Sequence, residues 1–245
     1  MSGPAATTFT VIGPGRAGHA FATALVESGW RLHALLGRQD DLRTAAAGVD
    51  VVLLAVPDER ISAVAAAVEP GPAAVVHLSG ATGLDALAPH RHRGSVHPLV
   101  SLPDGETGAR RLVEGAVFAV DGHPAAQAVV TALGGTAVAV PDDRRALYHA
   151  TAAVAANHLV VLCAQVERLA AEVGVPVAAY WQLMAATLDN VRSAGALSSL
   201  TGPAARGDRA TVARHLGALP ADEVDLYRVL SQGAAALAGR RGAES

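Results

Sequence analysis

The chain has 245 residues, of which 51% are apolar and only 17% are charged, with a formal net charge of -3 at pH 7. Its length fits one large domain or two modest ones, of which the pattern along the chain favours two, and its apolar content excludes a disordered chain. Because no cluster of basic residues is present, we expect no nucleic-acid partner.

The N-terminal part alternates predicted strands and helices. Residues 9–12 predict a strand. A glycine-rich turn at 13–18 follows it, and then a helix that ends near Ser28. Short runs rich in valine and leucine predict six more strands, at 32–36, 51–56, 74–78, 95–97, 116–120 and 136–140. Helical spacing is clearest at 61–68 and 125–133. The order favours an α/β domain with a doubly wound, mostly parallel sheet.

The pattern becomes purely helical after Pro141. One long helix is predicted at 144–173, followed by helices at 177–193, 208–216 and 221–238. The segment 146–166 has no formal charge and the length of a membrane span, but His149, Asn157, His158 and Gln165 favour a buried helix, and we expect no membrane partner. We therefore place an α/β domain at residues 1–141 and an all-helical domain at 142–245.

The chain has one cysteine and no lysine. The single cysteine, Cys163, excludes an intramolecular disulfide, and its apolar neighbours favour a small buried side chain. The N-terminal residues show no signal-peptide pattern, so we expect a cytoplasmic location. All 19 basic residues other than histidine are arginines, which excludes a lysine general acid and Schiff-base chemistry.

The glycine-rich turn predicts a dinucleotide site. Gly13, Gly15 and Gly18 match G-x-G-x-x-G, placed directly after a strand and before a helix. In this pattern the glycines allow a tight turn, close approach of the pyrophosphate and close packing of helix on strand. We assign the whole segment Gly13, Pro14, Gly15, Arg16, Ala17 and Gly18 to a Rossmann site for a nicotinamide cofactor.

The end of the second strand indicates which cofactor is bound. NAD enzymes commonly place a carboxylate here, whereas this chain has Arg38. A guanidinium can pair with a 2′-phosphate, so we expect NADP in preference to NAD, with Arg16 either assisting or simply solvated. Asp40 and Asp41 are expected to begin a following helix.

The third strand is followed by residues expected to line the nicotinamide side of the cofactor. Val56 and Pro57 lie where ligands of open α/β sheets bind. For Asp58, a part in this site and an ordinary position near a helix cap stay open.

The sequence resembles oxidoreductases that join a Rossmann-like domain to a helical domain of the DUF2520 type. The resemblance rests on Gly13 to Gly18, His77-Leu78-Ser79-Gly80-Ala81, Ser95-Val96-His97-Pro98-Leu99, Tyr148-His149-Ala150 with Asn157, and residues 200–208. This plan is similar to that of pyrroline-5-carboxylate reductases, ketopantoate reductases, 3-hydroxyisobutyrate dehydrogenases and prephenate dehydrogenases. The resemblance implies hydride transfer but no particular substrate.

Catalytic candidates come from both halves of the chain. Related reductases use a lysine of the helical domain, and His149 is the natural substitute, with a structural histidine as the alternative. Asn157 lies about 80° from His149 on a helical wheel, so both can face one cleft. His97-Pro98 is similar to the His-Pro pair of prephenate dehydrogenases, where the histidine contacts the substrate hydroxyl, and Ser79 is expected beside it.

Arg206 is the candidate for binding a substrate carboxylate, and Asp208 is expected to cap the helix that starts at Arg209. No grouping of His, Cys and carboxylates predicts a metal.

Two functions fit these patterns. The first is an NADP-dependent oxidoreductase acting on a small carboxylate-bearing carbonyl, hydroxyl or imine compound, with ketopantoate as the first substrate to test. The second is an NADP(H)-binding sensor or scaffold without turnover, which the missing lysine favours. The apolar helical domain predicts a homodimer.

Overall fold

The computed structural model describes residues 6–241, which form two compact units that divide between Asn157 and His158. The predicted boundary after residue 141 stays a prediction.

The N-terminal unit is built on one seven-stranded sheet. Its strands are β1 (Thr8–Ile12), β2 (Arg31–Leu36), β3 (Val51–Leu54), β4 (Ala74–His77), β5 (Arg93–Pro98), β6 (Val117–Gly122) and β7 (Thr136–Ala139). They lie in the order β2-β1-β3-β4-β5-β6-β7. All neighbouring pairs are parallel except β5 with β6, which is antiparallel. The expectation of a mostly parallel α/β sheet is confirmed.

The strand order creates a switch point between β1 and β3. The chain leaves β1 toward β2 on one side and then returns to β3 on the other side. The connections that leave β1 and β3 at their carboxyl ends therefore diverge, which opens a crevice of the kind that binds ligands in open α/β sheets. Residues 13–18 and 55–57 follow these two strands.

Helices cover both faces of the sheet. In the N-terminal unit they are α1 (Arg16–Glu27), α2 (Ile61–Ala67), α3 (Gly105–Val113), α4 (Ala125–Ala132) and α5 (Asp142–Ala153). One apolar core includes Phe9, Phe21 and Phe118, and the other, on the opposite face, includes Val52, Leu54 and Ile61. Alternate residues of the buried strands enter the two cores because strand side chains point to opposite faces.

The C-terminal unit is helical. A π-helical turn, Val154–His158, follows α5, and the unit then contains α6 (Leu159–Val173), α7 (Val177–Ala194), α8 (Ala196–Ser199), α9 (Arg209–Ala218) and α10 (Val224–Arg241). Among residues 158–240 only Gln165, Ala170 and Glu223 are buried. Within the described residues one helical stretch, Asp142–Val173, is long and apolar enough to cross a membrane by length and composition alone. The expectation of a buried helix at 146–166 was wrong, because most of these residues are exposed.

The structure differs locally from what the sequence indicated. The helix predicted at 144–173 is present within the helical stretch Asp142–Val173, but it contains the π turn, which leaves no trace in hydrophobic spacing. No helix follows Asp40 and Asp41, because their carboxylates accept hydrogen bonds from the backbone N–H groups of Gly37 and Arg43 and the segment continues as turns. Helix α3 was not predicted, since its segment has two glycines and few apolar residues.

Candidate active site

The three glycines of the loop after β1 meet different spatial demands. Gly13 has a φ of +108°, and a Cβ there would overlap the carbonyl oxygen of Ala55 at the end of β3. A Cβ on Gly18 would overlap the carbonyl oxygen of Gly13, so only glycine lets α1 pack this closely. A Cβ on Gly15 would meet no atom within 4 Å. The first and third glycines are thus required by the fold, whereas the second faces open space.

The open space at Gly15 lies at the N-terminus of α1. Gly15 is the N-cap of this helix, no side chain caps it, and its first turn contains no acidic residue. The first backbone N–H groups of a helix have no intrahelical partner, and the helix dipole makes this end positive. With Arg16 as the first helical residue, the end of α1 can hold the phosphate groups of a dinucleotide.

Arg38 is exposed just beyond β2. Neither Arg38 nor Arg16 takes part in an ion pair within residues 6–241. The carboxylate of Asp40 turns back toward β2, where Oδ2 accepts a hydrogen bond of 2.6 Å from the Gly37 N–H. Pro14 lies beside Gly37. The glycine loop and the end of β2 therefore adjoin, with a free guanidinium at their edge.

Val56 and Pro57 continue this surface along the sheet edge. A side-chain methyl of Val56 lies 3.0 Å from the position that a Cβ on Gly13 would take, so Val56 contacts the loop. Pro57 is exposed and precedes a short 3-10 helix, Asp58–Arg60. Asp58 caps nothing with its side chain.

Two histidines and a tyrosine meet where β5 ends. Nδ1 of His97 and the hydroxyl oxygen of Tyr148 are 2.7 Å apart and hydrogen-bonded. The rings of His97 and His149 stand nearly perpendicular with centroids 5.8 Å apart. Helix α5 supplies both Tyr148 and His149, while the sheet supplies His97. The two histidines predicted from separate parts of the chain are thus neighbours.

A cavity of about 400 Å³ opens beside this cluster. It is lined by His97 and the residues after it, Pro98 to Ser101, and by His149, Ala152, Ala153 and Asn157. Asn157 belongs to the π turn, which places its side chain on the same cavity as His149. The volume suits a small organic molecule.

Ser79 and Gly80 form the turn that the two histidines contact. The Ser79 hydroxyl donates to Oγ1 of Thr82 at 3.0 Å and accepts hydrogen bonds from two backbone N–H groups, so it is used within the turn. A Cβ on Gly80 would lie 2.9 Å from both His97 and His149. Glycine at this position therefore leaves room for both imidazole rings.

Arg145 is a residue of the site that sequence reasoning missed. Its side chain is only 1% exposed, and Nε donates to Oδ1 of Asp142 at 2.9 Å. Nη2 donates to the hydroxyl of Ser95 on β5 and lies 3.7 Å from Oδ2 of Asp121 on β6. From sequence, Asp142 and Arg145 look like an ordinary surface pair on a helix. Only the sheet beneath them buries the guanidinium and anchors α5.

Burial sets the charge of two histidines in this unit. Burial lowers the pKa of His77 to about 4, with the neighbouring Arg145 acting in the same direction and Asp58 and Asp142 opposing it. Burial likewise lowers the pKa of His97 to about 4, assisted by His149 and Arg145 and opposed by Asp58. Both rings are therefore neutral at pH 7.

Arg206, the remaining predicted site residue, lies in the C-terminal unit. It is exposed and lines a cavity of about 250 Å³ with Leu200 and Thr201. Asp208 accepts hydrogen bonds from the N–H and hydroxyl of Thr211, so it caps α9 as predicted. Arg206 has no assigned ligand, and its role in binding a carboxylate stays a prediction.

Within the described part of the chain, no three His, Cys, Asp or Glu residues are grouped in a way that could hold a metal ion.

Comparison with solved structures shows a shared fold. A protein of Bacteroides fragilis provisionally named an NADP oxidoreductase is 19% identical, with a TM-score of 0.78, over 94% of this chain and 98% of that one. A Thermotoga maritima protein is 21% identical, with a TM-score of 0.72, over 95% and 99%. Pyrroline carboxylate reductase of Plasmodium falciparum, with NADP bound, is 11% identical, with a TM-score of 0.61, over 95% and 98%.

Comparison with curated protein sequences gives no match. Two family models do match. Residues 38–103 match the Rossmann-like domain, and residues 113–234 match DUF2520, a domain of unknown function. The chain therefore joins a Rossmann-like domain to a DUF2520 domain, as its sequence motifs predicted.

Proposed function

We propose that the protein is an NADP-dependent oxidoreductase that transfers a hydride between the nicotinamide and a small carbonyl, hydroxyl or imine compound carrying a carboxylate. One observation carries the proposal. The loop of Gly13, Gly15 and Gly18 has the spatial fit of a dinucleotide site, and a cavity with two histidines lies at the carboxyl ends of the same sheet. Two proteins of similar fold support it, one provisionally named an NADP oxidoreductase and one solved with NADP bound.

The cofactor would be held by residues of the N-terminal unit. The N-terminus of α1 at Gly15, with Arg16, suits the pyrophosphate, and the free guanidinium of Arg38 suits the 2′-phosphate of NADP. Val56 and Pro57 would line the nicotinamide side. NADPH supplies the hydride, and the protein orients the substrate and donates or accepts the proton.

His97, His149 and Asn157 would act on the substrate, because all three line the same cavity. The chain has no lysine to exchange the proton, and an imidazole can do so near neutral pH, so we assign this role to His149. Ser79 would contribute by shaping the turn against both histidines. Arg206 is proposed to bind the substrate carboxylate, and ketopantoate is the first compound to test.

We further propose that the protein is a homodimer in the cytoplasm. Each chain would have a Rossmann domain at 1–141 and a helical domain at 142–245. The support is the C-terminal unit, in which only three of residues 158–240 are buried while Val160, Leu183 and Val229 are each more than 60% exposed. A helical unit with so small a core needs a partner to cover its apolar faces. A second copy would cover them.

The cofactor assignment is tested by replacing Arg38 with Asp. NADPH affinity measured by calorimetry should fall by about 1–3 kcal/mol, the value of a charge-assisted hydrogen bond, while NADH affinity changes little. Arg91→Asp is the matched control, because Arg91 is exposed before the amino end of β5, away from the carboxyl ends of the parallel strands. Equal losses for both cofactors, or a preference of the wild type for NADH, would contradict the assignment.

Turnover separates the enzyme from a sensor. NADPH oxidation with a panel of 2-oxo acids and cyclic imino acids should fall by about 10² to 10⁴ in His97→Ala and in His149→Ala, with NADPH affinity retained. Binding of NADPH without turnover of any compound would favour the sensor instead.

A further inference from the structure

The two cavity histidines differ in their surroundings, and this difference deepens the proposed function, on which the inference rests. His97 shares a hydrogen bond with Tyr148, whereas the ring of His149 has no hydrogen bond to the described residues. The charged or titratable groups that influence His97 are Asp58, Arg145 and His149, besides Tyr148 itself. Burial outweighs Asp58, so the His97 ring is neutral near pH 7 and carries a single N–H.

The hydrogen bond with Tyr148 decides which nitrogen of His97 carries that hydrogen. Burial raises the pKa of Tyr148 above its usual 10, so its hydroxyl keeps its proton. If Nδ1 of His97 carried the hydrogen, the Tyr148 proton would have no acceptor and Nε2 no donor among the described residues. If Tyr148 donates to Nδ1, only Nε2–H is left without a protein partner. The second arrangement leaves fewer polar groups unpaired.

The unpaired Nε2–H of His97 is accessible from the cavity. Tyr148 occupies the Nδ1 edge of the ring, and Gly80 lies against Cε1 and Cδ2. His97 lines the cavity. Its Nε2 has no hydrogen-bond partner among the described residues and is not one of the buried unpaired atoms, so it is accessible from the cavity. A ligand that meets His97 therefore meets a hydrogen-bond donor.

We propose that Tyr148 is a positioning residue that holds His97 in the Nε2–H tautomer, and that the substrate reduced in this cavity is consequently a carbonyl compound rather than an imine. A carbonyl oxygen accepts the Nε2–H hydrogen bond. A protonated imine, the form that takes up a hydride, presents an N–H of its own and faces a second donor. The tautomer thus selects oxygen over protonated nitrogen.

The step balances with the groups named. The hydride leaves C4 of NADPH with its electron pair and forms a C–H bond to the carbonyl carbon, so NADPH is oxidised and the carbonyl is reduced. The C=O π pair moves to the oxygen, where the His97 hydrogen bond strengthens as charge develops. His149 then gives a proton to the alkoxide, and solvent restores that proton. The sum is carbonyl plus NADPH plus a proton, giving alcohol plus NADP⁺.

Nitrogen NMR of the full chain with ¹⁵N-labelled histidine tests the role of Tyr148 without any substrate. The His97 signals, identified by their loss in His97→Asn, should show a protonated Nε2 and an unprotonated Nδ1 at pH 7. In Tyr148→Phe both nitrogens should move toward averaged values, because the constraint on the tautomer is gone. A protonated Nδ1 in the wild type, or unchanged signals in Tyr148→Phe, overturns the proposal.

The chain provides a matched control. The hydroxyl of Tyr227 makes a similar hydrogen bond, 2.6 Å long, to Nδ1 of His215 in the C-terminal unit, with ring centroids 5.8 Å apart. Tyr227→Phe should leave the His97 signals and the turnover unchanged. A change of the His97 signals in this variant as large as that in Tyr148→Phe would show that Tyr148 has no specific role in setting the tautomer, and it would overturn the proposal.

Kinetics with matched substrates tests the choice of oxygen. A 2-oxo acid should be reduced and the cyclic imino acid of equal carbon number should not. Tyr148→Phe should lower kcat about tenfold, the value of one hydrogen bond, with the KM for NADPH unchanged. Preference for the imino acid overturns the inference while the oxidoreductase proposal survives. No turnover of either class overturns the oxidoreductase proposal and the substrate choice together, and the NMR result alone then decides the role of Tyr148.

Discussion

Replacing Arg145 with methionine tests whether the buried guanidinium anchors α5 on the sheet. Methionine fills a similar volume, so little cavity is created, but the donors to Ser95 and Asp142 are lost. Ser95 is fully buried and would keep an unpaired hydroxyl, at a cost of about 1–3 kcal/mol. The carboxylates of Asp142 and Asp121 are 51% and 31% exposed, so water can replace their partner. We expect the free energy of unfolding to fall by about 2 kcal/mol.

Tryptophan fluorescence can follow the N-terminal unit alone. The chain has two tryptophans, of which Trp30 packs edge-on against Phe9 in this unit, whereas Trp181 lies on α7 of the other. Urea unfolding at pH 7 in a Trp181→Phe background therefore reports the stability of the sheet unit. The midpoint should fall without a change of slope, which would show that stability and not compactness has changed.

Arg144→Met is the control for the same helix. The Arg144 side chain is 70% exposed and pairs at 3.7 Å with an equally exposed Asp143, and such pairs contribute about 0–1 kcal/mol. Its effect should be small beside that of Arg145→Met. Since buried ion pairs can be replaced by apolar residues without loss, a variant as stable as the wild type is a real alternative outcome. That outcome would refute the anchoring role of Arg145.

Three further predictions follow from the geometry. Gly18→Ala should lower the unfolding free energy by more than about 2 kcal/mol in a urea titration, because the added Cβ has no space. Gly15→Ala should keep the unfolding free energy within about 0.5 kcal/mol of the wild type and should lose NADPH affinity. Equal losses of stability in the two variants would contradict this reasoning. Between pH 6.5 and about 4, the neutral, buried His77 takes up a proton only when the protein unfolds. Its contribution to the free energy of unfolding should therefore fall by about 2 kcal/mol from pH 7 to pH 5, and the stability of His77→Asn should be less sensitive to acid in the same assay. Leu183→Glu, on the exposed face of α7, should shift the sedimentation of a dimer toward the monomer, while Val138→Glu on β7 should not; a monomeric wild type would end the dimer proposal.

Most of the fold could be predicted from the sequence because its signals are local. Gly13, Gly15 and Gly18 occupy fixed positions after a run of apolar residues, and the alternation of short valine-rich runs with helical spacing predicted six further strands. The antiparallel pairing of β5 with β6 was not predicted, since the direction of a strand depends on the path of the connection and not on its own residues.

Part of the candidate site could also be named in advance. His97, His149 and Asn157 were singled out from motifs, and the structure brings them to one cavity. Ser79 was also singled out, but its hydroxyl is used inside a turn, which its sequence neighbours did not reveal. The π turn that carries Asn157 was likewise invisible, because one inserted residue barely alters the apolar spacing of a helix.

The sequence by itself determined the glycine loop, the order of strands and helices, and which polar side chains occur in apolar surroundings, since these depend on neighbours along the chain. Tertiary structure alone decided which of those side chains meet and which of them are buried. Tyr148 reaches His97 across 51 positions, and Arg145 reaches Ser95 across 50. Burial by the sheet then makes these contacts effective, because removing water disfavours a charged imidazole and leaves each polar group dependent on its protein partner.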